Sequence, residues 1–213
     1  MTELTPEIIL AAYRAGVFPM SDHRDDPEVF WVEPRFRGVI PLQGFHISRS
    51  LARRLRRDEF TITLNTAFDA VMDGCAARDR TWINAPIRDV FNSLHAMGHS
   101  HSLEVWAQDG RLAGGIYGLA IGGAFFGESM FSRQTDASKV ALAWMVTHLR
   151  GCGFQLFDTQ FLTDHLASLG AKEIPRKRYL GRLAIALTVD ASISGQPLPD
   201  SGQMVVQRNT QTS

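Results

Sequence analysis

Apolar and polar positions follow two periods along this chain, and the places where the period changes divide it. Thr5 and Pro6 stand where a cap and first helical residue belong, Ile9 and Tyr13 supply an apolar side, and Gly16 stops the pattern, which predicts a first helix. Residues 17–46 are rich in Pro, Gly and aromatics, with Gly38 to Pro41 the best candidate strand. Ile47, Leu51 and Leu55 then recur every fourth position, a helix with one docked stripe. Helical period continues over 65–75 and from Pro86 through Ile87, Val90, Phe91 and Leu94 to Gly98. From His101 the period becomes two. Ser102 to Trp106 alternates, Asp109-Gly110 signals a hairpin turn, Leu112 to Ile121 forms a glycine-rich strand, Gly122-Gly123 turns again, and Ala124 to Phe131 makes a third strand. Asp136 is placed to cap a helix through Leu142, Met145, Val146 and Leu149 to Gly151. Phe154 to Asp158 reads as a fourth strand and Thr163 to Leu169 as a last helix. The polar stretch from about Asp190 has little to bury.

Helices first, then an antiparallel meander, then helix, strand and helix, predict an α+β fold with one curved, mostly antiparallel sheet. The expected division is a small N-terminal domain over 1–44, a catalytic domain over 45–189 and a polar tail over 190–213. With 213 residues and 45% apolar content the chain is long enough to bury a core. No apolar run reaches the length of a membrane helix and no secretory leader pattern opens the sequence, so a cytoplasmic location is expected. Cys75 and Cys152 read as buried thiols.

Net charge is zero, yet charge is segregated. Residues 1–33 hold seven acids and two arginines, whereas 34–57 hold seven arginines (Arg35, Arg37, Arg49, Arg53, Arg54, Arg56, Arg57) and no acid. Guanidiniums grouped in this way attract a polyanion and suit phosphate oxygens. Glu128 sits inside an apolar strand, where an unpaired carboxylate would cost several kcal/mol. Alternation places it with Phe126 and Met130 on one face, either as the acid of a pocket for an apolar group beside an amine or as half of a structural ion pair. Asp158 and Gln160 lie two apart at a strand end. They either relay protons from an attacking amine or close an Asx-type turn. Trp82 offers an indole in a loop, for a base or for the core. His95, His99, His101 and His165 lack convincing ligand spacing, and no metal is expected. Gly127-Glu128-Ser129-Met130 lacks the second glycine of a nucleophile elbow, and neither double glycine opens a phosphate-binding helix.

These residues fall in ordered blocks: Tyr13 to Pro19, Phe45-His46-Ile47-Ser48-Arg49-Ser50, Thr81-Trp82-Ile83, His101 to Trp106, Gly114 to Gly118, Phe126 to Ser132, Ala137-Ser138-Lys139 and Asp164 to Ala171. From about Tyr13 to Leu180 they resemble, in the same order, the bacterial leucyl/phenylalanyl-tRNA protein transferases. The resemblance implies a small N-terminal domain before an acetyltransferase-like (GNAT) domain. It implies an aminoacyltransferase that moves leucine or phenylalanine, less readily methionine, from aminoacyl-tRNA to proteins beginning with Arg or Lys, marking them for N-end rule degradation. It further implies a catalytic group of Asp158, Gln160 and Glu128, with Asp158 orienting the amide and Gln160 accepting the proton. Ile116, Met130, Met145 and Leu149 would line the aminoacyl side-chain pocket. Trp82 and Phe91 would lie near the terminal adenosine, and Arg49, Arg53, Arg56 and Arg57 would contact the acceptor stem. Met20 and Phe91 depart from the aromatic and tyrosine usual at those positions.

An ester already activated on tRNA needs positioning and proton transfer more than covalent help, so no cofactor is expected. The rival enzyme, an acyl-CoA-dependent acetyltransferase, would need a glycine-bearing pyrophosphate loop that is absent between Ser132 and Lys139. The rival binding module, a noncatalytic RNA-binding protein, would use the arginine helix alone.

Overall fold

The computed structural model describes residues 4–210. Helix α1 (Pro6–Arg14) starts where Thr5 accepts a hydrogen bond from the Ile8 N–H, and leads into a two-stranded ribbon of β1 (Phe18–Met20) and β2 (Phe30–Val32). Strand β3 (Phe36–Ile40) follows, then α2 (Arg49–Arg56), capped by Ser48, and β4 (Thr61–Leu64). Helix α3 (Phe68–Ala76) begins later than its apolar period suggests because Asn65 turns at a positive φ of 60°. Asn84 caps α4 (Ala85–Ala96). The meander β5 (Ser100–Trp106), β6 (Leu112–Ile121) and β7 (Ala124–Ser132) precedes α5 (Ala137–Gly151), β8 (Leu156–Gln160) and α6 (Asp164–Ser168). Asp136 occupies the cap position of α5, but its side chain binds Lys139 instead of a helix N–H.

One seven-stranded sheet runs in the order β4-β5-β6-β7-β8-β3-β9, with β9 spanning Lys172–Pro175. All its pairs are antiparallel except β7 with β8. Consecutive residues such as Phe125 and Phe126 enter two separate apolar clusters, as strand alternation requires. One cluster holds α2 and α5, the other α1, α3 and α4. The result is an α+β, three-layer arrangement. Among the described residues no helix is long and apolar enough to cross a membrane.

Two expectations change. The helix after β8 is not the last: α7 (Arg176–Leu187) and α8 (Gly202–Thr210) follow. The stretch from Asp190 is not a tail with little to bury, because Ile193, Val205 and Val206 are buried against α2 and α5. Two adjacent valines suffice to dock so short a helix, and they make too little pattern to read in advance; residues 211–213 lie outside the described residues. Strand β3, in the expected position along the chain, lies between β8 and β9 in the main sheet.

Candidate active site

Strands β7 and β8 pair in parallel only from Ala124 to Phe126 and from Leu156 to Asp158. Beyond that they part, β7 continuing along β6 and β8 along β3. The opening between them is a cavity of about 310 Å³. Gly127, Glu128 and Met130 line it from β7, Phe157, Thr159 and Gln160 from β8, Phe18 and Met20 from β1, Leu142 from α5 and Ile116 from β6, together with Trp82, Phe161 and His165. A Cβ at Gly127 would lie 2.6 Å from the Phe157 ring, so glycine keeps the two strands close where they begin to part.

Glu128 enters this cavity through a β-bulge. Tyr117 faces Ser129 and Gly118 faces Gly127, which leaves Glu128 without a partner on β6. The expected alternation therefore fails. Phe126 packs edge-on against Tyr13, 5.0 Å between ring centres, whereas Met130 packs in the cluster around α5. The inserted residue has moved the two to opposite faces. Glu128 is 8% exposed, and burial above all pushes its carboxyl up to about 8. The Tyr13 hydroxyl opposes that rise, the Asp158 charge adds to it and Arg37 offsets it. The Gln160 side-chain amide donates to Glu128 Oε1 at 3.3 Å.

Asp158 is fully buried and does not line the cavity. Its carboxylate accepts from Arg37 Nε (2.9 Å) and Nη2 (2.7 Å), from the Tyr179 hydroxyl (2.7 Å) and from the Gln160 N–H (2.8 Å). The last of these is an Asx-type bond across a residue at φ 58°, so the turn and the candidate site coincide. Register shifts between Gly38 and Val39, which sets Gly38 opposite Gln160; a Cβ at Gly38 would lie 2.6 Å from the Phe161 carbonyl carbon. The Arg37 guanidinium, 1% exposed, is stacked between the rings of Phe18 (4.5 Å) and Tyr179 (4.7 Å). Two strand-borne polar groups, Glu128 and Gln160, thus meet over an apolar cavity, and a buried ion pair holds one of them from behind.

Comparison with known proteins agrees with these blocks. The family model for leucyl/phenylalanyl-tRNA protein transferase matches residues 39–184, and that for the N-terminal domain of the same proteins matches 2–35. The chain belongs to the leucyl/phenylalanyl-tRNA protein transferase family. The transferase of Ruegeria pomeroyi is 59% identical over 99% of both chains, and that of Cereibacter sphaeroides 58% identical over 99% of this chain and 98% of its own. Among solved structures, L-PGS from Bacillus licheniformis is 15% identical over 76% of this chain and 61% of its own, with a TM-score of 0.43. That likeness is too slight to argue from.

Of the residues that the family resemblance assigned to the site, Glu128, Gln160, Ile116, Met130 and Trp82 meet at the cavity. Met145 and Leu149 do not line it. Both are fully buried in the core, and Leu142, one turn earlier on α5, supplies the helix's contribution instead. Phe91 is also fully buried, edge-on to Tyr117 at 5.6 Å, so its ring has no free face for a base. Arg49, Arg53, Arg56 and Arg57 are exposed along α2. Arg56 donates to Gln203 and Arg57 pairs with Glu59 at 3.5 Å, while Arg49 and Arg53 make no ion pair among the described residues. Arg37, counted with the basic run from sequence, leaves the surface altogether. Arg37 and Tyr179 were not foreseen, because their link to Asp158 spans 121 and 21 residues and no local pattern announces it.

Proposed function

We propose that the cavity receives the leucyl or phenylalanyl side chain of an aminoacyl-tRNA, with methionine a poorer donor, and transfers it to the α-amine of a protein beginning with Arg or Lys. In the cell that product is marked for N-end rule degradation. The observation that carries the reading is a small apolar cavity whose wall joins the Gln160 amide to Glu128. Its volume falls at the lower end of the ~300–1,000 Å³ typical of ligand sites.

The reaction forms a C–N bond at the ester carbonyl, breaks the C–O bond to the terminal ribose, removes a proton from the amine and delivers one to the ribose oxygen. With its amide N–H directed to Glu128, Gln160 presents its carbonyl oxygen to the attacking amine. A carboxamide oxygen is a weak base, so Gln160 orients the amine and Glu128 takes up the proton in its ionised form, whose share grows as pH rises toward about 8. Asp158 acts from behind, fixing the backbone of Gln160. Trp82 offers its ring to the terminal adenosine, and Arg49, Arg53, Arg56 and Arg57 offer charge to the acceptor stem. We assign residues 1–44 to the small N-terminal unit, which lends β3 to a GNAT-like unit over 45–189. The parting of one parallel strand pair at the site supports that assignment.

The test is transfer of labelled leucine from charged tRNA to a peptide beginning with Arg, with acetyl-CoA as the competing donor. Product from the tRNA ester alone is expected. Acetylation without aminoacyl transfer would overturn the proposal.

A further inference from the structure

Away from the cavity, a second groove of about 1,090 Å³ lies between the end of α5, α7 and α8. Arg150, Arg182 and Arg208 line it, with Asp200 as the one carboxylate. None of the three arginines makes an ion pair among the described residues; Arg150 donates only to the Arg208 carbonyl, at 3.1 Å. Three like charges gathered around a groove with a single counter-charge repel one another and bind a polyanion well. Helix α7 carries no acid, and Arg178, though not in the groove lining, shares a face with Arg182 four residues on. His148, also in the lining, is 2% exposed. Its Nε2 is bound to the Ile193 carbonyl at 2.6 Å, which leaves Nδ1 as a buried acceptor without a donor.

The groove continues the basic surface of α2. Arg56 of α2 is bound to Gln203 of α8, and the next residues of α8, through Met204 and Arg208, form the groove wall. Leu142 near the start of α5 lines the cavity and Arg150 near its end lines the groove, about 12 Å farther along the helix axis. We infer that this groove binds the sugar-phosphate backbone of the donor tRNA beyond its acceptor stem, as a second contact after α2. The inference rests on the proposed use of aminoacyl-tRNA.

Two variants of the protein test it: Arg150→Ala/Arg182→Ala/Arg208→Ala, and Arg182→Glu alone, whose exposed side chain makes no hydrogen bond or ion pair among the described residues. Binding of full-length tRNA and of a short acceptor-stem hairpin with the same 3′ end is measured across a salt series. For the triple variant we expect full-length tRNA to bind about tenfold more weakly at low salt, with the slope of log K against log salt shallower by about two. Arg182→Glu weakens it in the same direction, and the hairpin binds all forms alike. Unchanged tRNA affinity and slope in both variants would overturn the inference, as would equal losses for hairpin and tRNA. Failure of the unaltered protein to use aminoacyl-tRNA would instead remove the function on which it rests.

Discussion

Glu128 holds its proton far above the ordinary carboxylate range because burial disfavours the ion. From its ordinary value of 4.5 up to about 8, the folded state binds a proton that the unfolded chain has released. Its contribution to stability is therefore complete at acid pH and is lost as pH rises through that window, by roughly a few kcal/mol in all. Glu128→Gln, neutral at every pH, should lose less stability between pH 5 and pH 9 than the unaltered protein does in urea unfolding. Parallel declines would show that another group titrates. Asp158 makes the opposite case. Replacing it with Ala leaves the Arg37 guanidinium buried without its anion, a loss of about 3–5 kcal/mol. Asp158→Ala should thus unfold at distinctly lower denaturant as well as stop transfer, and an unshifted midpoint would mean that water reaches Arg37.

At the scale of elements, the cap of α1, the periods of α1, α2 and α4 and the β5-β6-β7 meander were legible because each is a local signal: an oxygen at the cap, a stripe, a turn dipeptide. What escaped was either short or long-range. The bulge at Glu128 depends on how β6 lies opposite β7, and the insertion of β3 beside β8 depends on partners about 120 residues apart in sequence. Only the parting of β7 from β8 explains why Glu128 and Gln160 meet, and the two lie 32 residues apart, outside any single helical or strand period. Helix α8 was missed for its polarity, yet Val205 is fully buried between α2 and α5. Val205→Ala should lower the urea midpoint by an amount equivalent to about 1–3 kcal/mol with the m-value unchanged. On α2, Arg49→Ala/Arg53→Ala removes two exposed cations that have no ion-pair partner among the described residues. The salt slope of tRNA binding should become shallower by about 1.5, and an unaltered slope would make α2 a solvated face.

Across the whole molecule, the apolar cavity and the basic surface of α2 belong to different parts of one fold, and among the described residues Arg49 and Arg53 share no hydrogen-bond or ion-pair partner with Met130. Met130 is only half-buried at the cavity wall, so Met130→Ala enlarges the cavity proposed for the donor side chain with less disturbance than a change at Leu142 would cause. A larger pocket favours phenylalanine over leucine, by up to about tenfold in kcat/KM if the gain is comparable with one methylene contact. The α2 substitutions should instead raise KM for both charged tRNAs equally, since phosphates carry no information about the amino acid. Combining Met130→Ala with Arg49→Ala/Arg53→Ala should give effects on kcat/KM that add within about 0.5 kcal/mol. A larger coupling would mean that the tRNA body and the aminoacyl group are read through a shared movement of α5, the helix that passes both sites, and the rigid division of labour argued here would have to be given up.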